Sequence, residues 1–169
     1  MHNKIVFFSN NKDKIFEIKN FFTKTKIEIL NLQNFQKITS PEETGASFEE
    51  NASIKSMYGF KKLKLPCFAD DSGICVEALN NLPGIRSKDF FQEKGGYLKT
   101  LLFIIDKTEK LLNKKAYFQT TISLNLNANQ SIFFSGVVEG KISNKLRGQN
   151  GFGYDPIFIP DGCTKTFAE

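Results

Sequence analysis

Two adjacent carboxylates beside an apolar run are the residues of this chain with the clearest capacity for chemistry. Asp70 and Asp71 follow the apolar residues 67–69 and precede Ser72, Gly73 and a second apolar run. This order predicts a short strand, the two carboxylates, a Ser-Gly turn and a second strand. Neighbouring side chains of an extended chain point to opposite faces, so the two carboxylates have different roles. A buried carboxylate needs a metal, donors or solvent. A simple polar turn is the alternative.

The length and composition are those of a soluble protein with one domain over residues 1–169. Apolar residues make up 40% of the chain, and charged residues make up 24%. The net charge of +5 comes from scattered lysines, which is compatible with an anionic small molecule and does not indicate nucleic-acid binding. His2 is the only histidine, which excludes a His-rich zinc site and a Ser-His or Cys-His catalytic pair in the core.

The three cysteines and the hydropathy predict a cytoplasmic location. Cys67, Cys75 and Cys163 show no CxxC spacing, and a sparse, odd cysteine count suits a reducing compartment. No apolar run reaches the ~18 residues that a membrane span needs. Residues 1–10 are too short and polar for a signal peptide. We therefore expect no membrane association.

Strand and helix patterns alternate through the first two thirds of the chain, which predicts an α/β fold. Strands are expected at 4–8 and 27–30 and on both sides of the two carboxylates, and helices after residue 11, at 47–63 and at 97–105. Residues 116–126 and 131–139 are β-rich and predict a hairpin, which residues 140–142 continue. The stretch 147–153 holds three glycines and predicts a loop before a strand at 154–159.

The first helix begins where an anion could bind. Ser9, Asn10 or Asn11 can cap it, and Lys12 and Lys14 lie in its first turn. The amino end of a helix that follows a strand attracts anions, and cations in a first turn oppose the helix dipole unless an anion is present. Many strand–helix units bind nothing, so an empty turn is the alternative.

Four polar segments marked by glycine or asparagine together suggest nucleotide chemistry at phosphorus. They supply carboxylates for a hard divalent cation, lysines and amides for phosphates, and aromatic rings for a base. Mg²⁺ commonly bridges substrate phosphates to one or two carboxylates. The segments are residues 9–14, 42–45, 69–73 and 147–155.

These segments closely resemble the signatures of the non-canonical purine nucleoside triphosphate pyrophosphatases, the inosine triphosphatase family. The most specific is GFGYDPIF at 151–158, preceded by Arg147-Gly148. The others are ADDSG at 69–73, LPG at 82–84, EETG at 42–45, FEENA at 48–52 and KTFAE at 165–169. They occur in the family's order and cover essentially the whole chain.

The resemblance implies a long central mixed β-sheet with flanking helices, forming two lobes around a nucleotide cleft, in a homodimer. It implies Mg²⁺-dependent hydrolysis of dITP, ITP or XTP to the monophosphate and pyrophosphate, which cleanses the precursor pool. By position, Asp71 is the general base and a metal ligand, and Glu42 is the second metal ligand. The implied phosphate contacts are Ser9, Asn10, Asn11, Lys12, Asp13, Lys14 and Lys55. Ser72 is implied to contact the substrate as well. The residues implied to line the base end are Phe152, Gly153, Tyr154, Asp155 and Lys165.

Several neighbouring residues have a structural alternative. Asp70 is expected to accept hydrogen bonds from turn amides, and Glu43 to face solvent. Arg86 is expected at the surface or in a dimer contact. Tyr154 is a candidate for the core, whereas the extended backbone expected before Pro156 aims Asp155 at the cleft.

The chain departs from the family pattern at two places. Asn10 stands where the family usually has glycine, and asparagine tolerates a positive φ better than most residues. The sequence stops at Glu169, whereas family members continue with a helix and a Ser-His-Arg segment that reads the purine. The competing hypotheses are therefore a weakened nucleotide-binding remnant, a Maf-like pyrophosphatase and, from charge alone, a nucleic-acid-binding module.

Overall fold

A computed structural model describes residues 3–35 and 38–169. His2 lies outside the described residues. Within these ranges the four α-helices are α1 (Lys12–Phe22), α2 (Phe48–Leu63), α3 (Ser87–Glu93) and α4 (Tyr97–Lys110). The strands are β1 (Lys4–Phe7), β2 (Glu28–Asn31), β3 (Cys67–Val76), β4 (Leu82–Pro83), β5 (Lys115–Asn127), β6 (Gln130–Ile142) and β7 (Phe158–Pro160).

The seven strands form one mixed sheet in the order β2-β1-β3-β5-β6-β7, with β4 paired to β3. β1 is parallel to β2 and to β3, whereas β4 and β7 pair antiparallel with β3 and β6. The parallel register places Val6 beside Cys67 and Phe7 beside Phe68. The prediction of an α/β fold with a central mixed sheet and flanking helices is confirmed.

The chain divides into two compact units. The first comprises Met1–Asp71 and Thr121–Ser135, and the second comprises Ser72–Thr120 and Gly136–Glu169. Strands β3, β5 and β6 contribute residues to both units. The expectation of a single domain over 1–169 stays a prediction.

In the first unit the alternation of side chains along β1 and β3 builds two separate apolar layers. Val6, Phe8, Cys67 and Ala69 pack in a cluster that includes side chains of α2. Phe7 and Phe68 point the other way and pack against side chains of α1, with their rings stacked at 4.9 Å. This two-residue period continues into the carboxylates, so Asp71 falls on the α2 face and Asp70 on the α1 face.

The second unit has its own core, where α3 and α4 cover strand residues. Phe90, Leu101 and Ile104 of the helices pack with Ile74 and Phe158 of the strands, all of them buried. On the ~25 cal/mol per Å² scale, each fully buried side chain of this size contributes on the order of 2 kcal/mol. Over residues 3–35 and 38–169, no helix is both long and apolar enough to cross a membrane.

The largest correction to the sequence prediction concerns the segment around the two carboxylates. Cys67–Val76 is one continuous strand of ten residues rather than two strands joined by a Ser-Gly turn. Gly73 serves close packing, because a Cβ there would lie 2.2 Å from the carbonyl oxygen of Gly84 and 2.5 Å from Oγ of Ser87. A glycine inside a strand often marks such an approach of another backbone.

The other elements follow the sequence more closely. Ser47 caps α2 by accepting a hydrogen bond from the Glu50 amide, and α2 ends at the expected residue. The β5–β6 hairpin forms, with each strand longer than predicted. The predicted strand at 154–159 is wrong in its first half, because Asp155–Ile157 is a 3-10 turn with proline near its start, and β7 begins only at Phe158.

Replacing Gly73 with alanine should destabilise the protein by about 1–3 kcal/mol, since the added methyl group overlaps a backbone carbonyl that cannot retreat freely. Thermal or urea unfolding measures this change. Gly136→Ala in β6 is the matched control, because a Cβ there meets nothing within 4 Å. Equal stabilities of the two variants would contradict the packing role of Gly73.

Candidate active site

The carboxylate of Asp71 is buried at the α2 face of β3 and is held through both of its oxygens. Asn51 donates from Nδ2 to Oδ2 of Asp71 at 3.3 Å, and the Lys55 ammonium lies 3.2 Å from Oδ1. Asp71 is only 7% exposed. These two partners therefore offset part of the cost of burying the charge.

The spacing along α2 explains why both partners reach the same carboxylate. Asn51 and Lys55 are four residues apart, which places them one above the other on one side of a helix. The next turn brings Gly59, where a Cβ would lie 2.5 Å from Sγ of Cys67 and from the ring of Phe8. This glycine lets α2 lie close against β1 and β3, and so holds the two polar residues over Asp71.

A second carboxylate reaches the same lysine from the loop before α2. Oε2 of Glu43 lies 3.1 Å from Nζ of Lys55, although the Glu43 side chain is 40% exposed. The sequence assigned Glu43 to solvent and Glu42 to the metal. In the structure both glutamates are exposed, as expected for Glu43, and the one that reaches Lys55 is Glu43.

Burial and charge set the protonation of this cluster. Burial raises the pKa of Asp71 to about 6, against the lowering effect of Lys55, and the charge of Glu43 adds to the rise. Burial acts to lower the pKa of Lys55, but Asp71, Glu43 and Asp70 together raise it above its ordinary value. Lys55 is therefore a cation at neutral pH, and Asp71 is a carboxylate whose basicity suits proton transfer near neutrality.

Asp70 faces the opposite side of β3 and binds a different lysine. Its Oδ2 lies 2.6 Å from Nζ of Lys14, and both side chains are mostly buried. The expectation that the two carboxylates point to opposite faces is confirmed, and their separate roles stay a prediction. The sequence predicted turn amides as partners of Asp70 and did not anticipate Lys14.

The turn that begins α1 is organised by its own side chains. Asn11 caps the helix by accepting from the amides of Asp13 (2.9 Å) and Lys14 (3.2 Å), and Ser9 accepts from the Asn11 amide. Asn10 donates to Oγ of Ser40 and has no positive φ. Because two first-turn amides are already bonded to Asn11, the lysines are better placed than these amides to meet a phosphate. Lys12 and Asp13 are exposed.

In the second unit, the loop at 147–155 is folded back on itself by Asp155. Oδ2 of Asp155 accepts from the Phe152 amide at 2.8 Å, and Gly151 has a φ of +72°. A Cβ on Gly151 would lie 2.1 Å from that same oxygen, so only glycine fits. The 3-10 turn, rather than the extended backbone expected before Pro156, directs the carboxylate into the loop. Burial raises the pKa of Asp155.

The remaining residues predicted at the base end differ in their exposure. Tyr154 is buried, stacks on Phe91 at 4.7 Å and donates to the carbonyl of Ser87, which is the core alternative considered from the sequence. Phe152 and Gly153 are half-buried, and Lys165 is exposed. Ser72 is half-buried and accepts a hydrogen bond from Thr120. Arg86 is at the surface, paired with Glu93.

The segment that carries Lys165 is tied to the start of the same loop. The amides of Gln149 and Asn150 both donate to the carbonyl of Ala168, at 3.1 and 3.0 Å. The Glu169 carboxylate lies 2.8 Å from the Arg147 guanidinium. The structure thus brings Lys165 and the loop containing Phe152 into one substructure of the second unit.

The donor set around Asp71 fits a hard divalent cation bound together with a phosphate. Across residues 3–35 and 38–169, no group of three or more His, Cys, Asp or Glu side chains could hold a metal. Two carboxylates, those of Asp71 and Glu43, do converge on one lysine. Mg²⁺ is commonly held by one or two carboxylates with the remaining ligands from substrate and water, so these residues fit it.

A groove of about 620 Å³ lies along another side of α2 in the first unit. It is lined by Thr44 and Gly45 of the loop and by helix residues such as Ile54 and Met57. Asp71, Lys55 and Glu43 do not line it. The size of the groove therefore says nothing about the carboxylate cluster.

Comparison with known proteins now identifies the family. The model of the Ham1 family matches residues 5–169. The chain belongs to the Ham1 family. A dITP/XTP pyrophosphatase of Flavobacterium johnsoniae is 40% identical over 166 residues, which are 98% of this chain and 85% of that protein. A dITP/XTP pyrophosphatase of Aquifex aeolicus is 36% identical over an alignment of 178 positions, gaps included, which covers 98% of this chain and 85% of the relative.

Solved Ham1 structures share the fold as well as the sequence. The HAM1 protein from Coxiella burnetii superposes with a TM-score of 0.87 at 34% identity, covering 98% of this chain and 85% of that one. The Staphylococcus aureus Ham1 protein gives 0.84 at 36% identity, with the same coverage. Two residues in contact with the Asp71–Lys55 pair, Glu43 and Asn51, were not among the predicted site residues. Both lie in segments that carried the resemblance, so their position in those segments was the available signal.

Replacing Asp71 with asparagine should stabilise the metal-free protein increasingly as the pH rises from about 4 to 6. The folded protein holds the Asp71 proton more tightly than the unfolded chain does, because its pKa is about 6 against an ordinary value of 3.8. The preferential binding of this proton by the folded state therefore contributes fully to the free energy of unfolding of the parent protein below pH ~4. The contribution is lost as the pH passes ~6, a change of about 2–3 kcal/mol. The groups facing Asp71 are Lys55, Glu43 and Asn51.

Urea unfolding in the presence of a chelator at several pH values measures the difference between variant and parent. Asp106→Asn on the exposed side of α4 is the control and should show no such trend. An Asp71→Asn difference that stays flat between pH 4 and 6 would show that burial does not perturb this carboxylate.

Proposed function

We propose that this chain hydrolyses non-canonical purine nucleoside triphosphates (dITP, ITP and XTP) to the monophosphate and pyrophosphate. The observation that carries the proposal is the buried Asp71 carboxylate, held by Asn51 and Lys55 and faced by Glu43. The similarity to dITP/XTP pyrophosphatases supports the substrate class. Hydrolysis of such triphosphates removes deaminated purines from the nucleotide pool.

In this mechanism Asp71 accepts the proton of the attacking water. The water oxygen forms a bond to the α-phosphorus as the bond from that phosphorus to the bridging oxygen breaks, and pyrophosphate leaves. Asp71 and Glu43 would hold Mg²⁺, which supplies Lewis-acid polarisation of the phosphoryl oxygens and of water. Lys55 stabilises the negative charge that develops on phosphoryl oxygens, as positioned cations do in phosphoryl transfer.

The phosphate chain and the purine are bound by different residues. Lys14 exchanges its partner Asp70 for a phosphate, and the turn 9–13 lies beside it. At the base end, Phe152 stacks on the purine and Lys165 contacts it. Stacking alone does not discriminate among purines, so selection against dGTP and dATP requires polar groups that read the 6-keto edge.

The first experiment measures pyrophosphate release from dITP, XTP, dGTP and dATP, with and without Mg²⁺. We expect release from dITP and XTP well above that from dGTP, and none without the cation. Asp71→Asn should lower kcat by about 10²–10⁴-fold, the usual loss when a general base is removed. Asp106→Asn, the same change at an exposed position, should leave kcat unaltered.

The pair Glu42→Gln and Glu43→Gln in the same assay identifies the second metal ligand. The contact of Glu43 with Lys55 leads us to expect that Glu43→Gln raises the Mg²⁺ requirement about tenfold or more, with a much smaller effect of Glu42→Gln. Triphosphate binding without turnover would favour the remnant hypothesis, and equal turnover of dATP and dITP would refute the substrate class.

We also propose that the protein is a homodimer. Strand β6 exposes large apolar side chains on both of its faces, Phe134 at 57% and Val137 at 51% among them. Contiguous exposed apolar side chains of this size mark interaction surfaces more often than free surface. A second copy of the chain would cover them.

Sedimentation at micromolar concentration should give the mass of a dimer, and the double change Phe134→Lys with Val138→Lys should give a monomer. The two positions share a face of β6 and are exposed, so lysine there does not disturb the core. Leu112→Lys, at a position 92% exposed after α4, is the control and should stay dimeric. A wild-type monomer, or a dimeric β6 variant, would exclude this interface.

We place the protein in the cytoplasm. Cys67, Cys75 and Cys163 are all free thiols. Free thiols support a reducing compartment.

A further inference from the structure

The side chain of Asn51 is a second link, beside the Lys55 ammonium, between the loop before α2 and the carboxylate of Asp71. Its Oδ1 accepts from the Gly45 amide at 2.8 Å, and its Nδ2 donates to Asp71 at 3.3 Å. Asn51 is 3% exposed. The backbone amide can only donate and the carboxylate can only accept, so these partners fix which way the side-chain amide points.

We propose that Asn51 is a positioning residue that holds the loop bearing Glu43 in register with Asp71. The proposal rests on the proposed function, in which those two carboxylates share a divalent cation. Cation affinity depends on the separation of its ligands, and residues behind the ligands maintain that separation. Asn51 acts through Asp71 and Glu43 and does not itself touch the reacting atoms.

The loop lies too close to α2 for its position to be incidental. A Cβ on Gly45 would lie 2.7 Å from Oδ1 of Asn51 and 2.6 Å from Cβ of Glu50. Only glycine allows the loop amide to approach Asn51 so closely. Glu43 lies two residues before this anchor, and its carboxylate reaches Lys55 one helical turn beyond Asn51.

The chemistry of the asparagine side chain suits both contacts at once. Aspartate keeps the acceptor for Gly45, lacks the donor for Asp71 and adds a negative charge, whereas leucine has nearly the same shape and neither polar group. Glu50 provides the matched control. Its side chain accepts a hydrogen bond from the Ala46 amide at 2.6 Å and so anchors the same loop without a link to Asp71.

The test compares Asn51→Leu, Asn51→Asp and Glu50→Gln in two measurements. The first is hydrogen exchange of the Gly45 amide in the metal-free protein. Asn51→Leu should speed this exchange at least tenfold, and Asn51→Asp and Glu50→Gln should alter it by less than threefold.

The second measurement is the Mg²⁺ concentration for half-maximal turnover of dITP. It should rise about 10–100-fold in Asn51→Leu and Asn51→Asp, with KM for dITP at saturating Mg²⁺ little changed. Glu50→Gln should leave it unchanged.

A double-mutant cycle separates positioning from general damage. If Asn51 acts through the loop, Asn51→Leu should cost far less Mg²⁺ affinity when Glu43 is already glutamine. Equal losses on both backgrounds, or an unchanged Mg²⁺ requirement, would overturn the proposal. If Asn51→Leu does not fold, the Mg²⁺ requirement is compared in Asn51→Asp, which loses only the hydrogen bond donated to Asp71. A wild-type protein without turnover would refute the proposed function, whereas slow Gly45 exchange in Asn51→Leu would refute the positioning role independently.

Discussion

The cost of burying the Asp71 carboxylate governs the arrangement of the first unit. A charge that is 7% exposed persists only with donors close by, and α2 supplies two of them from adjacent turns. α2 can do so because Gly59 lets it lie against β1 and β3, and because Ser47 fixes where the helix begins. Compensation is incomplete, as the raised pKa of Asp71 shows. That residual basicity is the property a general base requires.

The strict alternation of β3 gives two adjacent aspartates separate partners on opposite faces of the strand. Asp71 meets an amide and an ammonium from α2, while Asp70 meets the ammonium of Lys14 from α1. The apolar residues before them alternate in the same way, so the packing that fixes the register of β3 also fixes which carboxylate faces which helix. A shift of one residue would exchange the two roles and place apolar side chains in the polar cluster.

The sequence predicted what local patterns control and missed what tertiary contacts decide. Helices α1, α2 and α4, the hairpin and the opposite facing of Asp70 and Asp71 follow from periodicity, and capping also marks the starts of α1 and α2, whereas α3 was not predicted. The continuous strand through Gly73 does not follow from local patterns, because glycine suits both a turn and a close approach of another backbone. Only the position of Gly84 distinguishes these two structures. Glu42 and Glu43 are equally plausible by composition. The fold of the Gly45 loop onto Asn51 decides which one meets Lys55, and single-sequence patterns do not encode that contact.

The charges of the cluster explain why substrate and cation should bind together. Glu43 and Asp71 carry two negative charges and Lys55 carries one positive charge, which leaves one negative charge in the cluster, while Asp70 and Lys14 on the other face of β3 neutralise each other. The chain's net charge of +5 is spread over scattered lysines and is screened beyond about 10 Å at ordinary salt. A polyanion therefore gains little from this site alone. A divalent cation held by Asp71 and Glu43, as proposed above, would make the local charge positive and would leave Lys55 available to the phosphates.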